Sequence, residues 1–181
     1  MKNITTYETA MCGIMTALMC IAGPLAVPIG PIPVTLIVLV LFFALMVTGT
    51  KLTMISFTAY LLLGAAGLPV FSGYAGGAAK LAGPTGGYLI GFLFMIPIAG
   101  AFRRRYADRP VLTGCGMLLG LAAAYFFGTA WFVYQMHVSV RYALSVCVLP
   151  FIPFDLIKIV LAVLAGSAVR KALLRAGISC E

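Results

Sequence analysis

The chain has 181 residues, of which 63% are hydrophobic and 9% charged, with a formal net charge of +8 and a mean hydropathy of +1.14. Soluble domains carry roughly 25% charged residues, so this chain has too little polar surface to face water on all sides, and the excess apolar surface must meet lipid. The basic residues fall mostly in short clusters at the ends of apolar runs, a membrane-orientation pattern that argues against nucleic-acid binding.

A bilayer-spanning helix needs about 20 residues, and the chain length suits six spans with short connections in a single membrane domain, 1–181. The first apolar run, Thr9 to Val27, has no small-residue cleavage site leading into a soluble domain and reads as a retained span. Pro24, Pro28, Gly30, Pro31 and Pro33 then impose a loop at one membrane face. Val34 to Val47 forms the second span, Thr48-Gly49-Thr50-Lys51 a tight turn, and Leu52 to Gly67 the third span.

From Leu68 to Gly87 the chain is rich in Gly and Pro and carries one charge, Lys80. Irregular backbone at membrane depth is tolerated where protein covers it or where it lines a cavity, so this segment is a candidate ligand site. Within it, Gly83-Pro84-Thr85-Gly86-Gly87-Tyr88 leads into the fourth helix. Paired glycines let a ligand or a neighbouring helix approach the backbone, and the spacing alone does not choose between them. Lys80 either meets an anionic group of a ligand or is solvated, and Tyr74 and Tyr88 either contact a ligand or sit at the interface as ordinary aromatics.

The fourth span, Tyr88 to Phe102, ends in Arg103-Arg104-Arg105, and Asp108-Arg109-Pro110 leads to the fifth, Val111 to Tyr134. Gln135, His137, Ser139 and Arg141 follow, and His137 and Arg141 at this spacing suit a headgroup contact better than catalysis. The last span, Leu144 to Val169, contains Pro150 and Pro153 and closes with Arg170, Lys171 and Arg175. Six spans put Lys2, Lys51 and both arginine-rich clusters on one side, which should be cytoplasmic together with both termini. The loops around Pro31, Gly76 and His137 then share the outer face.

Asp155 and Lys158 are the sharpest feature of the sequence. An ionisable residue within an apolar span costs about 2.5 to 3.5 kcal/mol on insertion scales, and such residues mark functional sites. At i, i+3 they share a helix face. One reading is structural, with Asp155 in the first turn of a helix started by Pro153 and paired to Lys158; the other is that both face a pocket, the carboxylate accepting N–H groups and the ammonium donating to oxygen. Gly13 and Ala17 form a small-xxx-small pair in the first span, suited to close approach by another membrane helix or to internal packing. The five cysteines show no CxxC pair, and neither a metal nor a cofactor is expected. No GxxxxGK[ST] signature is present, so the energy for active transport would come from a partner or a gradient.

Pro31-Ile-Pro-Val-Thr-Leu36, Gly64-Ala-Ala-Gly-Leu-Pro-Val-Phe71, Gly76-Gly77, Gly83-Pro-Thr-Gly-Gly-Tyr88, Gly91-Phe92, Gly128-Thr-Ala-Trp131 and Pro153-Phe-Asp-Leu-Ile-Lys158 occur in that order. In order and spacing they resemble the BioY family, the biotin-specific substrate-capture (S) components of energy-coupling factor (ECF) transporters. The resemblance implies an all-α membrane protein of six transmembrane helices in a bacterial cell membrane. It implies a biotin pocket closed by outer loops, docking onto a transmembrane coupling protein with two ATPase subunits, and translocation without covalent chemistry. By the same resemblance Asp155 and Lys158 contact biotin, Gly86, Gly87 and Tyr88 belong to a loop over the ligand, and Thr35 matches the segment after the proline loop. Two positions depart from the family pattern: Ile37 stands where Gln is common, and Phe154 where Gly often precedes the Asp. An S component for another vitamin and an intramembrane lipid-modifying enzyme are the alternatives.

Overall fold

In hydrocarbon each unpaired backbone N–H or C=O costs several kcal/mol, so apolar segments of this length close their hydrogen bonds internally as helices. The computed structural model describes residues 5–27, 32–106 and 109–177. Lys2, Pro28, Gly30, Pro31, Asp108 and Cys180, the last of the five cysteines, lie outside the described residues.

Helix α1 spans Thr6–Ala22 and opens on a capping box, with Thr5 and Glu8 satisfying each other's backbone N–H groups. A two-stranded ribbon follows, β1 (Ala26–Val27) antiparallel to β2 (Val34–Thr35), with Ala26 opposite Thr35. Helix α2 covers Ile37–Ala65 but is broken at Gly49 (φ 81°, ψ 177°). A side chain is strained at that positive φ, and glycine is not. The two halves, 37–48 and 50–65, run in opposite directions, because Val38 and Tyr60 reach the same cavity at one end while Gly49 lies at the other. The chain then forms a short helix α3 (Ala78–Ala82), α4 (Gly86–Arg105), α5 (Pro110–Met136), a second short helix α6 (Val140–Cys147) and α7 (Phe151–Arg175).

Among the described residues four helices, α2, α4, α5 and α7, are long and apolar enough to cross a bilayer, and α1 is a shorter apolar helix. Counting α2 as its two halves, six helical segments make up the bundle. The last segment differs most from expectation. Leu144 to Val169 is not one span: α6 ends at Cys147, a turn carries Pro150, and α7 starts afresh at Phe151. Asp155 is therefore the fifth residue of α7, and the first turn holds no acidic residue. The helix-dipole explanation for Asp155 fails on this placement, since that effect fades within the first turn.

Small residues let the antiparallel α4 and α5 touch. A Cβ on Gly91 would strike the Ala124 backbone, one on Gly116 the Phe102 side chain, and one on Gly128 the Tyr88 ring. Helix α1 runs parallel to the second half of α2, stitched by Thr16 Oγ1 to the Ser56 carbonyl (3.2 Å) and Ser56 Oγ to the Cys12 carbonyl (3.2 Å). Met15, Met19, Leu41, Phe42, Leu45, Phe57, Met95 and Met117 fill the core between these helices. Gly13 and Ala17 lie on the exposed face of α1, and a Cβ at Gly13 would meet nothing within 4 Å. Internal packing does not account for this pair.

Candidate binding cavity

Most of the described basic residues collect at the end of the bundle where α2 breaks. Arg103, 2% exposed, donates from Nη2 to the Met46 carbonyl at 3.1 Å, while Lys51, Arg104, Arg105, Arg109, Lys171 and Arg175 are exposed. Thr48 Oγ1 donates to the Ala44 carbonyl (2.9 Å) and lies 3.2 Å from Thr53 Oγ1 across the break. Every one of these contacts closes the protein on itself.

At the opposite end the loops interlock around a void. Gly73 N–H donates to the Pro24 carbonyl (3.2 Å), Tyr60 Oη to the Val70 carbonyl (3.0 Å), and Trp131 Nε1 to the Gly83 carbonyl (3.0 Å). Tyr88 Oη, reaching across from α4, donates to the Cys147 carbonyl at the end of α6 (3.1 Å). The space beneath these loops holds about 700 Å³ free of atoms, counting the open solvent at its mouth. Its walls are largely apolar and aromatic, with Ile37, Val38, Phe71, Phe92, Leu121 and Phe151 among them.

Asp155 and Lys158 face this space from α7, 2% and 6% exposed. Lys158 Nζ sits 2.7 Å from Asp155 Oδ1, and Tyr125 Oη of α5 donates to Asp155 Oδ2 at 2.6 Å. Both carboxylate oxygens thus have a partner. An ammonium has three N–H donors and Asp155 engages one, so Lys158 retains donors for a guest. Lys80 is the third charged residue of the lining, and two cations against one anion give the walls a net charge of +1.

Asp155, Lys158, Tyr88, Thr85, Lys80 and Thr35, chosen from sequence, all line the cavity. Gly86, Gly87 and Tyr74 do not. Gly86 packs against the Leu81 carbonyl and Gly87 against the Trp131 side chain, so the glycine pair admits neighbouring protein at the start of α4. Tyr74 stands at a positive φ of 59° in the tight turn closed by the Phe71 and Ala75 bridge and is 67% exposed. His137 is exposed at the left-handed C-cap of α5, away from the lining. Of the two departures from the family pattern, Ile37 belongs to the lining, whereas Phe154 does not and is 44% exposed.

Sequence reading passed over Tyr125, Tyr60, Ser72 and Phe151, all of which line the cavity. For Tyr125 there was a usable signal, since a phenol in the middle of a span needs a hydrogen-bond partner and an unmatched carboxylate oxygen offers one.

The BioY family model matches residues 1–175. The chain belongs to the BioY family. The Biotin transporter BioY of Thermotoga maritima is 38% identical over 159 residues, covering 88% of this chain and 93% of that protein. Biotin transporter BioY2 of Lactococcus lactis subsp. cremoris is 34% identical over 177 residues, covering 96% and 95%. The crystal structure of the S-component for biotin from an ECF-type ABC transporter matches with a TM-score of 0.86 at 32% identity, over 93% of this chain and 95% of that one. The BioY resemblance read from the motifs is thus borne out along nearly the whole chain, as is an all-helical membrane fold of the S-component kind.

Proposed function

We propose that this chain is the membrane-embedded subunit that captures biotin at the outer face and delivers it into the cell together with an ECF energising module. The observation that carries the reading is the Asp155–Lys158 couple, held 2.7 Å apart inside a cavity roofed by loops in a chain whose relatives are named for biotin transport. The ring of biotin would lie between the aromatic and aliphatic walls, its ureido group against Asp155 and Lys158. Its carboxylate would turn toward Lys80, Ser72, Thr35 and Thr85 on the loop side.

The positive-inside rule places the arginine-rich end in the cytoplasm, with both termini there and the cavity opening outward. Energy would come from a transmembrane coupling protein and two ATPase subunits. The exposed Gly13 and Ala17 on α1 suit close contact with a helix of the coupling protein.

Calorimetry on detergent-purified protein tests the site. Tight biotin binding is expected, with Asp155→Asn and Lys158→Ala each weakening it at least tenfold, about 1.4 kcal/mol. Wild-type affinity in both variants would remove the assignment. Gly13→Leu is expected to retain biotin binding while losing co-purification with the energising subunits.

A further inference from the structure

Asp155 and Lys158 share one helix, and their ion pair by itself does not orient the carboxylate. The terminal torsion of an aspartate is broad and two-fold, and the lysine rides on a flexible four-carbon stem. Left as a pair, the ammonium can bridge both oxygens and draw the couple into a closed unit with little to offer a guest.

Tyr125 breaks that symmetry from a different helix. Its ring is half-buried and packed against the core, it has only two side-chain torsions, and its hydroxyl donates to Oδ2 at 2.6 Å while Lys158 holds Oδ1 at 2.7 Å. The carboxylate is thereby held at two points, one on α5 and one on α7. Each oxygen keeps a lone pair, and the ammonium beside them keeps N–H donors. An acceptor and a donor then stand side by side on the cavity wall, the complement of a ring edge that carries an N–H next to a C=O.

We infer that Tyr125 is a positioning residue for biotin recognition: it fixes the orientation of the Asp155 carboxylate beside Lys158, so that a free carboxylate lone pair and a spare ammonium N–H stand as a matched acceptor and donor, selecting ligands with a cyclic urea or lactam edge. This rests on the reading that the ureido group meets Asp155 and Lys158. Tyr125 also links α5 to α7, so a purely structural role has to be separated from a positioning one.

A double-mutant cycle with biotin makes the separation, using wild type, Tyr125→Phe, Asp155→Asn and the double variant, each titrated to saturation in detergent. Tyr125→Phe is expected to weaken binding about tenfold in the wild-type background and by less than about twofold once Asp155 is Asn, because interacting residues are not additive. The ligand-free melting temperature is expected to move only a few degrees. Replacing Tyr125 by 4-aminophenylalanine, which keeps a donor at the ring tip, should restore most of the affinity. The same loss in both backgrounds, or wild-type affinity in Tyr125→Phe, overturns the inference while leaving the Asp155 site standing. Wild-type affinity in Asp155→Asn overturns the site and the inference together. Should Tyr125→Phe fail to fold, 4-aminophenylalanine and 4-methoxyphenylalanine both keep the ring but only the former donates; equal binding by the two overturns the inference.

Discussion

The two ends of the bundle both bury cationic side chains, but with different outcomes. At the arginine-rich end, Arg103 donates to the Met46 carbonyl and Thr48 to the Ala44 carbonyl, so polar groups serve the last turn of a helix that stops at Gly49. At the loop end, Lys158, Asp155 and Tyr125 satisfy one another across a void. A buried charge that binds its own backbone works as a clasp, whereas one that faces an enclosed space with donors to spare is available to a guest. Desolvating a charge is costly in either place; what differs is whether the charged group faces packed backbone or an enclosed space.

The largest effect should come from breaking the loop-end group. Lys158→Ala leaves a carboxylate that is 2% exposed without its counter-charge. Removing one partner of a buried pair is expected to lower stability by about 3 kcal/mol, seen as a drop in ligand-free melting temperature that accompanies the loss of biotin binding. At the other end, Arg103→Met should lower stability by about 2 kcal/mol, the scale of a buried hydrogen bond to a charged group. The folded fraction should still bind biotin with unchanged affinity. Loss of affinity without loss of stability in Arg103→Met would erase the contrast between the two ends.

Gly49→Ala is expected to cost about 1 to 2 kcal/mol, because φ 81° with ψ 177° at the break is a backbone region open to little but glycine; it too should spare the affinity of the folded protein. The smallest effect should be that of Ile37→Gln, which adds a polar group to the apolar part of the lining. A change in affinity within about threefold, under 1 kcal/mol, is expected, measured by the same calorimetric titration. A much larger gain would mean that the apolar lining at Ile37 sets the affinity of this member of the family.

Legibility differed by residue according to how many roles a residue type can play. Asp155 and Lys158 stood out because charges within an apolar run are expensive and therefore rare, and the i, i+3 spacing placed them on one face. Gly86 and Gly87 were ambiguous because a glycine pair equally admits a ligand or a helix. The Trp131 side chain packed against Gly87 resolves it, and nothing near Gly87 in the sequence points to a residue so far along the chain. Tyr74 has the composition of a ligand contact, but its turn directs it outward. Tyr125 carried only the signal of a phenol within a span in need of a partner, and that the partner is Asp155 was settled when α5 and α7 came together.

The first five spans in outline, the basic end, the break at Gly49 and the family motifs were all determined by the linear order of residues, because lipid solvation, helix period and glycine conformation act over one or two turns. The start of α7 at Phe151, the cavity itself, the exclusion of Gly86, Gly87 and Tyr74 from its walls and the contact of Tyr125 with Asp155 were decided only by tertiary structure. Those depend on which helices lie side by side, and that is settled by packing between residues tens of positions apart.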